Sequence, residues 1–150
     1  MTAPVAWQAP EVEAGPAPGV EFAGYGARLV AYIIDSFVAG LIATALVLVG
    51  LALQEPFIAT ITIIAALAIS LLYWPYYWQK SGQTPGNRVT GIKVVRDADG
   101  GLLTWGGAFI RMIGYWVAAA VFYIGFIWIF IDKRRRGWHD LIASSVVIKA

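Results

Sequence analysis

The sequence predicts an all-α membrane protein. The expected fold is an antiparallel transmembrane helix hairpin plus a third membrane segment, re-entrant or spanning, with a small β-element in the cytoplasmic loop. Three observations predict it. Hydrophobic residues fill 59% of the chain and charged residues only 13%, about half the charge of a soluble domain. Leu29–Leu53 carries one charge, Asp35, in an otherwise apolar run. Residues 57–78 and 108–131 are two further apolar runs, and about 20 residues of helix suffice to cross the hydrocarbon core.

The same composition sets limits. A chain of 150 residues allows one domain. Mean hydropathy is +0.70, and the net charge of +2 is too small to suggest nucleic acid. With no cysteine, disulfides and thiolate metal sites are excluded. No nucleophile–base arrangement or catalytic carboxylate pair is visible, so an enzyme is not expected.

Residues 1–23 read as a disordered cytoplasmic tail. They hold Pro4, Pro10, Pro16 and Pro18, three glutamates and no basic residue. A secretory signal would need a basic start and a shorter apolar run. Residues 24–150 then form the membrane domain. Its first helix begins near Gly24–Arg28 and ends near Leu53. Gln54-Glu55-Pro56 is a polar turn, and Pro56 suits a first helical position. The second helix, about 57–78, ends in Tyr73-Trp74-Pro75-Tyr76-Tyr77-Trp78, an interfacial aromatic belt. Pro75 should kink or loosen its last turns.

Residues 79–107 are polar and glycine-rich. Gly91–Arg96 alternates as a strand does, Asp99-Gly100 suits a hairpin turn, and Leu102–Trp105 is a candidate return strand. The apolar run 108–131 contains Arg111. The tail opens on Lys133, Arg134, Arg135 and Arg136 and closes on the strand-like Ser145–Lys149.

Charge placement raises a conflict. The positive-inside rule puts the N-terminus and residues 79–107 in the cytoplasm, because the 54–56 turn has no basic residue. A single crossing by 108–131 would put Lys133–Arg136 outside. A bend near Tyr123–Gly125 with return to the entry side resolves this. Each half would reach only about 16 Å and would need shelter by protein. If the segment returns, Gly91–Val95 and Ser145–Ile148 share one face and can pair, and Asp140 comes near Arg28.

The candidate functional residues follow from cost. A carboxylate within the membrane costs about 2.5–3.5 kcal/mol on insertion scales, so Asp35 should face a partner or a wet cavity. Arg28 lies two turns earlier on the same face, about 10.5 Å away along the axis, with Tyr32 between them. Ala31, Ala39 and Ala43 continue that face and allow close approach of a helix. Arg28 equally suits snorkelling to headgroups. Arg111 is open to two readings, countercharge of Asp35 or snorkelling cation. Asp140 could serve as a surface cap or pair with Arg134–Arg136. His139 is the sole histidine, which makes a metal site improbable. Lys133–Arg136 read as a topology anchor meeting anionic lipid headgroups. Asp97-Ala98-Asp99-Gly100 begins like a calcium loop but has Ala108 where the closing acid is needed. Ser81–Gly86 lacks the lysine of a phosphate loop.

Three motifs in order now matter. They are Gly26-Ala27-Arg28-Leu29 with Ile34-Asp35, then Gly82-Gln83-Thr84-Pro85-Gly86-Asn87-Arg88 with Gly91-Ile92-Lys93-Val94-Val95, then Gly137-Trp138-His139-Asp140-Leu141-Ile142-Ala143. Together they resemble the RDD family of bacterial membrane proteins over about residues 24–149. The family is named for one arginine and two aspartates, which match Arg28, Asp35 and Asp140 here. Asn87 stands where lysine is common, and Ser144-Ser145 where Gly-Thr is common. The resemblance implies fold and inner-membrane location more than activity. Transport, including cation/proton antiport for some members, is suggested for that family. The expected function is therefore transport of a small cation, or its exchange for protons, through the buried carboxylate of a site formed by Arg28, Asp35 and Asp140, with Arg111, Tyr32 and His139 in support. The alternative is a structural or interaction module holding a partner membrane protein or anionic lipid. No cofactor is expected. A homo-oligomer or a partner is, because two or three spans are few for a pathway.

Overall fold

A computed structural model describes residues 15–121 and 124–150. The chain is mostly helical, with two long apolar helices and one small sheet. Helix α1 covers Tyr25–Ala52 and α2 covers Pro56–Lys80. By their rise they are about 42 and 38 Å long, more than a hydrocarbon core of about 30 Å. Pro56 starts α2 at a position where its missing N–H costs nothing. Gln54 makes the turn in the left-handed region, φ 55°. α2 runs on through Pro75 as one helix to Lys80.

The hairpin buries little. Leu29, Phe37, Leu51 and Phe57 are among many large apolar side chains left exposed, as lipid-facing helices require. Small residues bring the two helices together. A Cβ at Gly50 would run into Thr62 Oγ1 and lie 3.1 Å from Ala59 Cα, so alanine there requires Thr62 or the helix contact to shift. Ala31 and Ala39 are buried within this chain. The helices that use this small-residue face include α2 and α3 of the same molecule.

Helix α3, Pro85–Thr90, was not expected in the 79–107 loop. Its signals were local. Thr84 caps it by accepting the Asn87 N–H at 3.1 Å, Pro85 opens it, and Gly91 ends it at φ 64°. Strand β1, Ile92–Arg96, pairs antiparallel with β2, Ser145–Lys149, Val94 facing Val147. The local hairpin with Leu102–Trp105 does not form. Leu103 is buried in the core and Thr104 caps the next helix, so the residues after the Asp99-Gly100 turn are committed elsewhere. The distal partner offers Val146, Val147 and Ile148, better strand formers.

Helix α4, Trp105–Ala120, is followed by α5, Ile124–Ile127, and a 3-10 turn at Trp128–Phe130. The second arm turns by 112° from the first, so the third apolar segment is a broken or re-entrant one, and Tyr123, where the bend was expected to begin, lies outside the described residues. A short helix α6, Trp138–Ile142, precedes β2. Of the stretch read as a tail, residues 1–14 lie outside the described residues. Phe22 and Ala23 are buried, and the Ala23 N–H donates to Val147 O at 2.9 Å. This segment therefore lines the free edge of β2. The main core joins Ala23, Ala31, Trp78, Val94, Leu103 and Val147. It lies where the sheet meets the Arg28 end of the hairpin, not along the hairpin itself.

Candidate functional site

The fold gathers the charged residues into two nodes. Asp140, at the third position of α6, is fully buried. Its Oδ2 accepts from Arg28 Nη1 at 2.9 Å and from the Gly137 N–H at 3.0 Å. Its Oδ1 accepts from Arg111, which is also buried. Arg111 donates to Ser145 Oγ at 2.5 Å, and its guanidinium lies 4.9 Å from the Trp78 ring. One carboxylate thus clamps α1, α4, α6 and β2. Burial opposes its ionisation, but Arg111, with His139 and Arg28, outweighs that and holds the carboxyl well below the usual range.

Two expectations fail here. Asp140 is not a surface partner of Arg134–Arg136. Arg134 instead pairs with Asp97 at 2.7 Å, and Arg136 with Asp132 at 3.1 Å. Arg135 lies 5.5 Å from the Tyr25 ring, leaving Lys133 as the exposed member of the run. Arg111 is likewise neither the countercharge of Asp35 nor a snorkelling cation. Its partner lies 29 residues onward, beyond the bend.

His139 stacks on Tyr115 with ring centres 3.9 Å apart. Gly114 makes room, because a Cβ there would sit 2.7 Å from His139 Cα. Its Nδ1 has no hydrogen-bond partner among the described residues. Burial, helped by the two arginines, lowers its pKa from 6.5 to about 3. Between those values the unfolded chain binds one more proton than the folded chain. Stability is therefore complete above pH 6.5 and falls below it, by at most about 1.4 kcal/mol per pH unit. Thermal unfolding in detergent from pH 7 to 5.5 should show this decline, and His139→Phe should flatten it. An unchanged slope in the variant would mean the histidine is accessible to protons when folded.

The second node is Asp35, 2% exposed. Its Oδ1 accepts from Tyr73 Oη at 3.0 Å and from the Gly86 N–H at 2.8 Å. Its Oδ2 accepts from Thr84 Oγ at 2.5 Å. All three partners are neutral. Tyr73 belongs to the aromatic belt, so Asp35 sits at belt level rather than in mid-hairpin. Gly86 is required, because a Cβ would strike the Ala31 carbonyl. Tyr73, Thr84, Gly86 and Ser145 were not singled out from the sequence.

A small cavity of about 30 Å³ separates the nodes, lined by Arg28, Tyr32, Asp35, Thr84, Asn87 and Arg111, among others. Tyr32 is half exposed and stacks on Tyr115 at 6.2 Å. Thus Arg28, Asp35, Arg111 and Tyr32 share one cavity, with Asp140 and His139 behind it. Among the described residues no three acidic, histidine or cysteine side chains could hold a metal.

YxaI of Bacillus subtilis (strain 168), itself uncharacterized, is 32% identical over 88 residues, which are 58% of this chain and 57% of YxaI. The match thus spans little more than half of either protein. No solved structure matches. The RDD family model matches residues 22–144. That span takes in Arg28, Asp35, Arg111 and Asp140 and the bent third segment, and on it the chain belongs to the RDD family.

Proposed function

We propose that this chain is a multi-pass, non-enzymatic interaction module of a bacterial inner membrane, with its N-terminus and sheet on the cytoplasmic side. One observation carries the reading. Away from the cap that α3, α6 and the sheet form at the Arg28 end of the hairpin, α1 and α2 leave an apolar groove of about 330 Å³ between Ala43, Val47 and Leu48 on one side and Ile63, Ala66 and Leu67 on the other. Small residues at its floor suit close approach of a helix from a partner membrane protein or a second copy. The polar residues favour the same reading. Asp140 is engaged by two arginines and Asp35 by three neutral donors, so both act as locks that hold the cap rigid. The test is photo-crosslinking from Leu48 in native membranes. A discrete adduct, lost in Ala43→Leu while thermal stability is kept, is expected. Absence of any adduct removes the reading.

A second reading is kept for one observation. Asp35 borders a cavity, and a carboxylate beside a cavity can exchange a small cation for protons. Flux in inverted vesicles should then fall at least tenfold in Asp35→Asn. Equal flux with the natural residue eliminates it.

A further inference from the structure

The cavity between the nodes has a chemistry of its own. At about 30 Å³ it holds one or two water-sized species. A phosphate or an organic acid is too large. Its wall is rich in donors. Arg28 and Arg111 contribute guanidinium groups, and Asn87 contributes a carboxamide. Asn87 is 7% exposed, and its side chain makes no hydrogen bond among the described residues. An amide of a residue so little exposed, open to a cavity and without a protein partner, leaves its donors free for an occupant. Asp35 is the acceptor on this wall, yet its oxygens already receive Tyr73, Thr84 and Gly86. The free hydrogen-bonding capacity is therefore mostly that of donors.

Charge completes the argument. Two guanidiniums, Arg28 and Arg111, stand against two carboxylates, Asp140 and Asp35. With both carboxylates ionised the set is neutral and water suffices. With Asp35 neutral, one carboxylate balances two arginines, and a single anion restores neutrality. We propose that this cavity binds a monatomic anion of chloride size, filled when Asp35 is uncharged. Neutralising Asp35 and anion uptake at Arg28, Arg111 and Asn87 then favour each other equally. The groups facing this exchange are Arg28 and Tyr32 from α1, Tyr73 from α2, and Arg111 and Tyr115 from α4. His139 and Asp140 of α6 stand behind the arginines. The inference does not rest on the groove between α1 and α2, and it opposes the cation reading of Asp35.

Thermal unfolding of the purified full chain in detergent tests it, comparing sodium chloride with sodium gluconate at equal sodium. Asp35→Asn mimics the neutral carboxyl. Chloride should raise its Tm saturably, with a midpoint at least about tenfold lower than for the natural chain at neutral pH. Removing one unit charge at contact range in an effective dielectric near 20 supplies that factor. Asn87→Leu fills the cavity without adding charge and should abolish the response. Crystals of Asp35→Asn grown in bromide should show anomalous density between Arg28 and Arg111. The proposal fails if chloride shifts neither protein, if the shift survives in Asn87→Leu, or if it follows sodium instead. A cation site would lose affinity in Asp35→Asn, so the two readings predict opposite signs from one variant.

Discussion

Asp140→Asn should lower stability by about 3–5 kcal/mol, with much of the protein lost on extraction from the membrane. The variant keeps the size of the side chain and removes its charge. Arg111 then has no counter-ion in a fully buried position, and Arg28 loses its 2.9 Å partner. Leaving a buried charge unpaired costs that much, whereas replacing the whole group by apolar residues often costs little. The double variant Arg111→Met with Asp140→Leu should therefore be less damaged than the sum of its two single changes, by about 1–3 kcal/mol. Thermal unfolding in one detergent, with all variants side by side, measures this. Additive losses would mean that Arg111 and Asp140 do not couple, and that Asp140 acts through Arg28 and the Gly137 N–H.

The clamp also shows what the sequence could and could not reveal. α1 and α2 were legible because length and hydrophobicity suffice to specify a spanning helix. The bend between α4 and α5 was legible from a conflict of charge, since four basic residues would otherwise be stranded outside. Arg28, Asp35 and Asp140 were legible as family-type residues, but their partners were not. Two of the donors to Asp35 come from residues 84 and 86, and nothing periodic announces that a six-residue helix will rest on α1. For Arg111, pairing with Asp35 and snorkelling both failed, because the true partner lies beyond the bend. β1 is a strand as expected, and of its two candidate neighbours the local Leu102–Trp105 does not pair while the distant Ser145–Ile148, expected if the third segment returns, does. Turn chemistry at Asp99-Gly100 is a local signal, while pairing with Ser145–Lys149 closes a loop of about 50 residues that sequence does not encode locally. Thr84-Pro85 and Gly91 were start and stop signals for α3. They were passed over because the stretch between them is polar and lacks helical periodicity.

Thiol labelling should place Glu55 on one side of the membrane and both Arg88 and Lys133 on the other. The chain has no cysteine, so each position can carry the only thiol. All three side chains are exposed. Ser145 is a poor probe, because it is fully buried and bonded to Arg111. The physical argument is one of tethers. α4 is about 24 Å long, too short to cross a core of about 30 Å. Its two flanks are tied together by the β1–β2 ladder and by the Arg111–Asp140 and Arg28–Asp140 contacts. A spanning segment would have to pull those contacts apart and expose the buried carboxylate and guanidiniums. An impermeant reagent on intact cells should then modify Glu55→Cys and spare Arg88→Cys and Lys133→Cys until the membrane is opened. Labelling of Lys133→Cys together with Glu55→Cys would mean that the bent segment crosses. The clamp, the cavity behind it and the anion site built on them could not then exist in the membrane.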